Sequence, residues 1–298
     1  MVYFVLYMEK VQTGRVIEFY SNSCLIEING QICSSPIMGK QDIVVGDYVY
    51  VKYQKHDDPK SIIITAKRDR ISELNKKGLR NSKVIAANIS HVGILTVENP
   101  KTSSEFIDKW IVSATTSNIK PFLINNKNDI KTSDEYKNKV QIYRDIDIPI
   151  FDISAKKGIG MSKLKVFLEK KCTIFVGNSG AGKSTLSSKL TGKDIKTRPL
   201  SNNQGSHTTS VSSLYTLSNN IEIIDSPGVR DISIEGLSKK EIIKGFFEIF
   251  KSSKLCKFSN CGHTNDAECD VIQKINNGEI SKSRYNNFIK FLEQASDG

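Results

Sequence analysis

Between residues 10 and 68 apolar and polar positions alternate in short runs broken by turn signals. Ser23–Ile28, Tyr48–Tyr53 and Ile62–Thr65 are rich in β-branched and aromatic residues. Thr13-Gly14, Ile28-Asn29-Gly30, Met38-Gly39 and Val45-Gly46-Asp47 punctuate them. Alternation of period two between closely spaced turns predicts about five short strands and a small closed barrel such as an OB-fold. From about residue 70 the texture changes. His91–Val97, Pro121–Ile124, Ile148–Ile153, Cys172–Val176 and Ile221–Ile224 are unbroken apolar runs, as expected of strands buried on both faces of a parallel sheet. Between the first two runs Phe106, Trp110, Ile111 and Ala114 share one helical face, with Ser103 and Ser104 where a cap belongs. This alternation predicts a doubly wound α/β domain. After residue 235 the pattern is helical. Ser238-Lys239-Lys240-Glu241 reads as a capping box ahead of Ile242, Ile243, Phe246, Phe247 and Phe250, and 281–295 as a last amphipathic helix. The predicted chain is therefore multidomain: an OB-like barrel over 1–69, an α/β domain over 70–234 and a helical module over 235–298.

Composition agrees. The chain has 298 residues, 38% of them hydrophobic and 25% charged, enough core for several small domains. The formal net charge of +11 is uneven: residues 71–234 carry 24 basic against 15 acidic residues, while each flank is nearly balanced. The excess sits at Lys67–Lys83 and at Lys156–Lys171. A polyanionic partner would explain it, and so would plain solvated lysines. No stretch approaches the length of a membrane span. The apolar run Val2–Met8 is short and has neither a basic lead-in nor a cleavage site, so it reads as an edge strand or an upstream start. A cytoplasmic monomer with no membrane attachment is the expectation. Of six cysteines, three cluster with a histidine near the C-terminus, a metal-binding pattern rather than a disulfide framework.

Gly177-Asn178-Ser179-Gly180-Ala181-Gly182-Lys183-Ser184 matches G-x-x-x-x-G-K-[ST] in full, after a buried strand and before a helix that opens at Thr185. In that context the glycines let backbone N–H groups wrap phosphate oxygens at a helix N-terminus. Lys183 reaches the β- and γ-phosphates and Ser184 offers a hydroxyl to Mg²⁺. Asp225-Ser226-Pro227-Gly228 follows the strand Ile221–Ile224. There Asp225 can hold Mg²⁺ and the Gly228 N–H can sense a γ-phosphate. Asn126-Lys127-Asn128-Asp129, after Pro121–Ile124, fits the guanine-reading N-K-x-D. An aspartate accepts from guanine N1–H and its 2-amino group together, and adenine offers neither donor. Asn126 can bond the N7 edge and tie loops together, and the Lys127 stem can cover the ring. Ser154-Ala155-Lys156 fits the companion loop that meets guanine O6 through a backbone N–H.

Here the guanine loops precede the phosphate loop, the reverse of the ordinary order, so the chain is circularly permuted. Gly205-Ser206-His207-Thr208-Thr209 lies where the first switch belongs, and Thr208 or Thr209 could complete the Mg²⁺ shell. Where glutamine often follows D-x-x-G, this chain has Val229, which cannot orient water. His207 is the local candidate for that work. Cys256, Cys261, His263 and Cys269 suit a tetrahedral, structural Zn²⁺.

A small N-terminal barrel, a permuted G domain and a C-terminal Cys3His site together resemble the small ribosomal subunit biogenesis GTPases. The resemblance spans nearly the whole chain from about residue 10 and leaves residues 1–9 without a counterpart. It implies that Asn126, Lys127 and Asp129 read guanine, that Gly177 to Thr185 hold phosphates, and that Cys256, Cys261, His263 and Cys269 bind zinc. It also implies that His207 acts in catalysis and that the barrel touches ribosomal RNA. The family's first switch reads G-R-H-T-T; Ser206 stands here in place of arginine. The expected function is Mg²⁺-dependent GTP hydrolysis in late maturation of the small ribosomal subunit. The alternative is a GTP-binding, RNA-binding factor in which hydrolysis is not the main role. A P-loop ATPase or kinase is disfavoured by Asp129.

Overall fold

The computed structural model describes residues 11–20, 22–37, 42–53, 62–77, 82–193, 212–226, 232–264 and 266–295. Five strands build the N-terminal barrel: β1 (Gln12–Phe19), β2 (Ser23–Ile28), β3 (Gln31–Pro36), β4 (Tyr48–Tyr53) and β5 (Ile62–Lys67). β1 pairs antiparallel with β2 and β4, β2 with β3, and β4 with β5, while β3 lies against β5. This is the OB-like closure expected from the sequence. Asn29 and Gly30 both have positive φ, which gives the β2–β3 hairpin the twist its strands need. Gly14 is required by packing: a Cβ there would lie 2.3 Å from Ile26 Cγ2 across the barrel. Val16, Cys24, Ile26, Val49, Val51 and Ile62 fill the interior.

A hairpin of β6 (Glu73–Lys77) and β7 (Ser82–Ala87) leads into the α/β domain. Its elements are β8 (His91–Thr96), α1 (Ser104–Thr116), β9 (Lys120–Asn125), α2 (Asp134–Asp145), β10 (Ile150–Asp152), α3 (Met161–Leu168), β11 (Cys172–Val176), α4 (Lys183–Thr191), β12 (Ser213–Leu217) and β13 (Ile221–Asp225). The sheet order is β10-β9-β8-β11-β13-β12, parallel except for β12 against β13. Counted from the phosphate-loop strand β11, this order is that of an unpermuted G domain with its chain opened before β8. Two apolar layers flank the sheet. Trp110, Ile111 and Ala114 of α1 and Tyr143 of α2 pack on one face, and Leu164 and Leu168 of α3 with Leu186 and Leu190 of α4 on the other. β12 also pairs with β1 at Ser213 and Glu18, so the barrel continues the central sheet.

The C-terminal module contains α5 (Lys239–Ile242), α6 (Phe247–Ser253), α7 (Asp270–Asn276) and α8 (Lys282–Glu293). The capping box at Ser238 and Glu241 is formed. The single helix suggested by Ile242 to Phe250 is interrupted by a 3-10 turn at Ile243–Gly245. The reason is tertiary. Gly245 presses on α1, and a Cβ there would lie 2.6 Å from Val112 Cα. Val112 thereby joins the core of Phe246, Ile249, Phe288 and Phe291. Among the described residues no helix is long and apolar enough to cross a membrane.

Candidate functional site

The sheet places the motif loops side by side at the C-terminal ends of its strands, the position where open α/β sheets bind ligands. β11 is buried throughout and delivers Gly177 against Leu95 of β8, where a Cβ would sit 3.0 Å from Leu95 Cβ. Gly180 and Gly182 have φ of +78° and +96°, a backbone that side chains resist. Gly182 also has no room for one: its Cβ would fall 2.4 Å from Asn126 Nδ2. The Lys183 ammonium lies across the loop, donating to the Gly177 carbonyl and, at 3.2 Å, to Asn178 O. Asp225 ends β13 nearby. Burial pushes its carboxyl above the usual range, and the Lys183 charge pulls it back. A half-buried carboxylate facing a lysine across a cradle of N–H groups suits a divalent cation with phosphate.

Asn126 is the knot between loops. Its Nδ2 donates to Ala181 O at 2.9 Å and its Oδ1 accepts from Ala155 N at 3.0 Å. The side chain is buried, so the Asn126–Asp129 loop, the Ser154–Lys156 loop and the glycine-rich loop are held as one unit. This tie uses the Ala155 N–H. The Lys156 N–H has no hydrogen-bond partner among the described residues. Lys127 adopts φ +65° and donates from Nζ to Asn99 O at 2.8 Å, so its stem forms a wall. Asp129 is exposed, and the Ser154 hydroxyl, with Lys157 and Lys156 nearby, holds its carboxyl below the usual range. Ser154 is itself fixed, accepting from Lys157 N at 3.1 Å.

Sequence reading missed the loop after β8. Pro100 packs 3.4 Å from the Cβ direction of Gly180, Asn99 O receives Lys127, and Asn178 Nδ2 reaches Lys101 O at 3.5 Å. Its signal was available: Asn99-Pro100 follows a buried strand at the sheet's ligand-binding end. α4 opens at Lys183, two residues ahead of the expected Thr185, because Gly182 in the left-handed region caps it, so Ser184 and Thr185 lie in its first turn. His207, Thr208, Thr209 and Gly228 lie outside the described residues.

The Cys3His cluster is assembled away from the nucleotide loops. The ligand atoms of Cys256, Cys261, His263 and Cys269 lie within 4.8 Å of one another. Cys256 Sγ is 3.6 Å from His263 Nδ1 and 3.9 Å from Cys269 Sγ, and Cys269 Sγ is 3.7 Å from His263 Nδ1. Tetrahedral zinc with bonds of about 2.3 Å to sulfur and about 2.0 Å to nitrogen separates its ligands by about 3.5–3.8 Å. The set fits zinc, and the separations are far too long for disulfides. His263 holds φ +60° and its carbonyl accepts from Tyr285 Oη at 2.8 Å, which anchors the ligand loop to α8. Burial lowers the imidazole's affinity for protons, the neutral state a metal ligand needs.

Residues 67–235 match the RsgA GTPase family. A small ribosomal subunit biogenesis GTPase RsgA from Flavobacterium psychrophilum is 35% identical, over 89% of this chain and 85% of its own length. A second, RsgA 2 from Bacteroides thetaiotaomicron, is 33% identical over 98% of this chain and 94% of its own. The crystal structure of YjeQ from Thermotoga maritima superposes with a TM-score of 0.76 at 28% identity, covering 96% of this chain and 99% of that one. The structure of YloQ, described as a circularly permuted GTPase, shares the fold with a TM-score of 0.74 at 20% identity, covering 97% and 96%.

Proposed function

Since the chain belongs to the RsgA GTPase family, we propose that it hydrolyses GTP as a switch in late maturation of the small ribosomal subunit, whose RNA it binds. The observation that carries the reading is the Asn126 tie, which joins two guanine-reading loops to the phosphate loop as one nucleotide pocket. Asn126, Lys127 and Asp129 take the base, with Asp129 accepting from the guanine N–H groups. Ser154 orients Asp129, Ala155 serves the tie, and the Lys156 N–H meets O6. Gly177 to Thr185 hold the phosphates, with Lys183 as the mobile charge. Ser184 and Asp225, with Thr208 or Thr209, would hold Mg²⁺, which neutralises phosphate charge when bound. Gly228 senses the γ-phosphate and His207 orients the attacking water.

In this reading the units are residues 1–69 for RNA, 70–234 for nucleotide and 235–298 for a structural zinc held by Cys256, Cys261, His263 and Cys269. The protein acts as a monomer in the cytoplasm. A switch binds its target differently in its two nucleotide states. Co-sedimentation with purified small subunits should recover more protein with a non-hydrolysable GTP analogue than with GDP. Equal recovery in both states removes the switch from this reading.

A further inference from the structure

The two basic clusters of the sequence have different fates in the fold. In the first, Lys67 and Arg70 are committed to internal ion pairs. Lys67 Nζ lies 2.8 Å from Asp42, and Arg70, 4% exposed, forks onto the fully buried Asp47 at 2.7 and 2.8 Å while also reaching Glu73. The second cluster is different. Residues 156–171 hold six lysines and one acid, Glu169, and residues 183–193 add three lysines and no acid. Both segments belong to the layer made by α3 and α4. Gly158, in the loop entering α3, lies beside the Lys189 stem of α4, and Lys170 donates its N–H to Asn219 O in the β12–β13 turn. The surface is therefore continuous. Lys163, Lys165, Lys170 and Lys189 are exposed and form no ion pair among the described residues.

The opposite layer gives the contrast. α1 and α2 carry five acids and four bases. There Lys109 pairs with Glu105, Lys137 with Asp134, and Lys290 of α8 with Glu105. That layer is also covered in part by the C-terminal module. A sheet with matched charges on one helical layer and unmatched lysines on the other has a polarised electrostatic surface, and the unmatched side attracts a polyanion.

The geometry also selects the kind of polyanion. Single strands are gripped by exposed aromatic rings on which bases stack. On this layer Phe167 is packed into the core, and the Tyr215 ring has Lys193 lying over it at 5.3 Å. Among the described residues the large apolar side chains left exposed here are aliphatic, Ile159 and Val166. Lysines without stacking platforms fit phosphate backbones held at fixed spacing, which is an RNA duplex read by shape and charge.

We infer that the α3–α4 layer is a docking surface for duplex RNA, distinct from the barrel and reached through Lys163, Lys165, Lys170 and Lys189. The inference rests on the proposed RNA-binding role and names the part of the α/β domain that takes part. Its test uses the full zinc-loaded chain, a blunt RNA duplex and purified small subunits, with affinity measured at several salt concentrations. The four-fold variant Lys163→Gln/Lys165→Gln/Lys170→Gln/Lys189→Gln is compared with Lys109→Gln/Lys137→Gln/Lys290→Gln on the paired layer. GTP affinity reports that each variant is folded. The expected result is duplex binding at least about tenfold weaker for the first variant, with the slope of log affinity against log salt reduced by about two to three. The second variant should match the parent. If the first variant binds duplex and subunit with the parent's affinity and slope, the docking surface is wrong even though RNA binding stands. If the parent binds neither RNA nor subunit, the underlying role fails instead. Parent binding to anionic phospholipid vesicles but not to duplex would also overturn the inference.

Discussion

At the scale of single residues, the site depends on side chains whose work is to hold other groups. Asp129 was legible because N-K-x-D follows a buried strand, and the structure leaves its carboxylate exposed. In the proposed role a bound base would cover it, and only then would an unmatched acceptor cost energy. Asp129→Asn should weaken GTP binding by on the order of a hundredfold or more and favour xanthosine triphosphate. Unchanged GTP affinity in a titration would remove Asp129 from the base pocket. The Ala155 N–H was not legible in the same way, because only the folded loops reveal that Asn126 Oδ1 takes it. His91 opens β8 and is a buried part of the sheet. It is 9% exposed, its Nδ1 lies 2.9 Å from Ser90 Oγ, and it packs edge-on to Phe122 and Phe167. Burial, with Lys171 and Lys120 nearby, pushes its pKa down to about 4. The unfolded chain therefore takes up this proton first. Stability from His91 is full above about pH 6.5 and falls as pH drops toward 4. His91→Phe should flatten urea-unfolding stability between pH 6.5 and 4.5 relative to the parent; an unchanged slope would contradict the assignment.

At the scale of elements, periodicity gave strands and helices wherever one face is apolar, and failed where tertiary contact decides. The β6–β7 hairpin was not foreseen because Glu73-Leu74-Asn75-Lys76-Lys77 has a single apolar residue and no alternation to mark a strand. β12 was not foreseen because Ser213–Leu217 is short and lacks both an unbroken apolar run and a regular alternation, and it gains its place from β13 and β1. The C-terminal module was expected as helices but not as a partner of α1. What docks it is Arg284 of α8, fully buried. Its guanidinium meets the equally buried Asp108 of α1 at 2.6 Å and Glu248 of α6 at 2.6 and 3.0 Å, with the Phe246 ring 4.7 Å away. Burial opposes charge on both partners, yet Asp108 and Glu248 hold Arg284 ionised. Nothing in the spacing of Asp108 and Arg284, 176 residues apart, announces the pair. Removing one partner strands a buried charge, so Arg284→Ala should cost about 3–5 kcal/mol in denaturant unfolding. The double change Arg284→Met/Asp108→Leu should cost clearly less. Similar losses for both would mean that packing, not charge, docks the module.

At the scale of the whole molecule, the nucleotide loops sit between two structural partners. On one side β12 and β13 carry Asp225, which pairs in register with Ser213, and Ser213 pairs with Glu18 of the barrel. Arg15 of the barrel adds a 3.1 Å contact to Glu222 on β13. On the other side α1 carries the zinc-bearing module. The permutation, legible from motif order alone, is what makes this layout possible. Opening the chain before β8 frees its two ends for the barrel and the helical module. The sequence could not disclose that the barrel joins the very hairpin that bears Asp225, since that pairing is set by one residue pair between distant strands. The central claim is that this scaffold hydrolyses GTP in response to the small ribosomal subunit. It is tested most directly by GTP turnover with and without purified small subunits, for the parent and for Lys183→Ala. The account predicts turnover that rises several-fold with subunits and falls on the order of a hundredfold or more when Lys183 is lost. Turnover unaffected by subunits, or retained without Lys183, would contradict it.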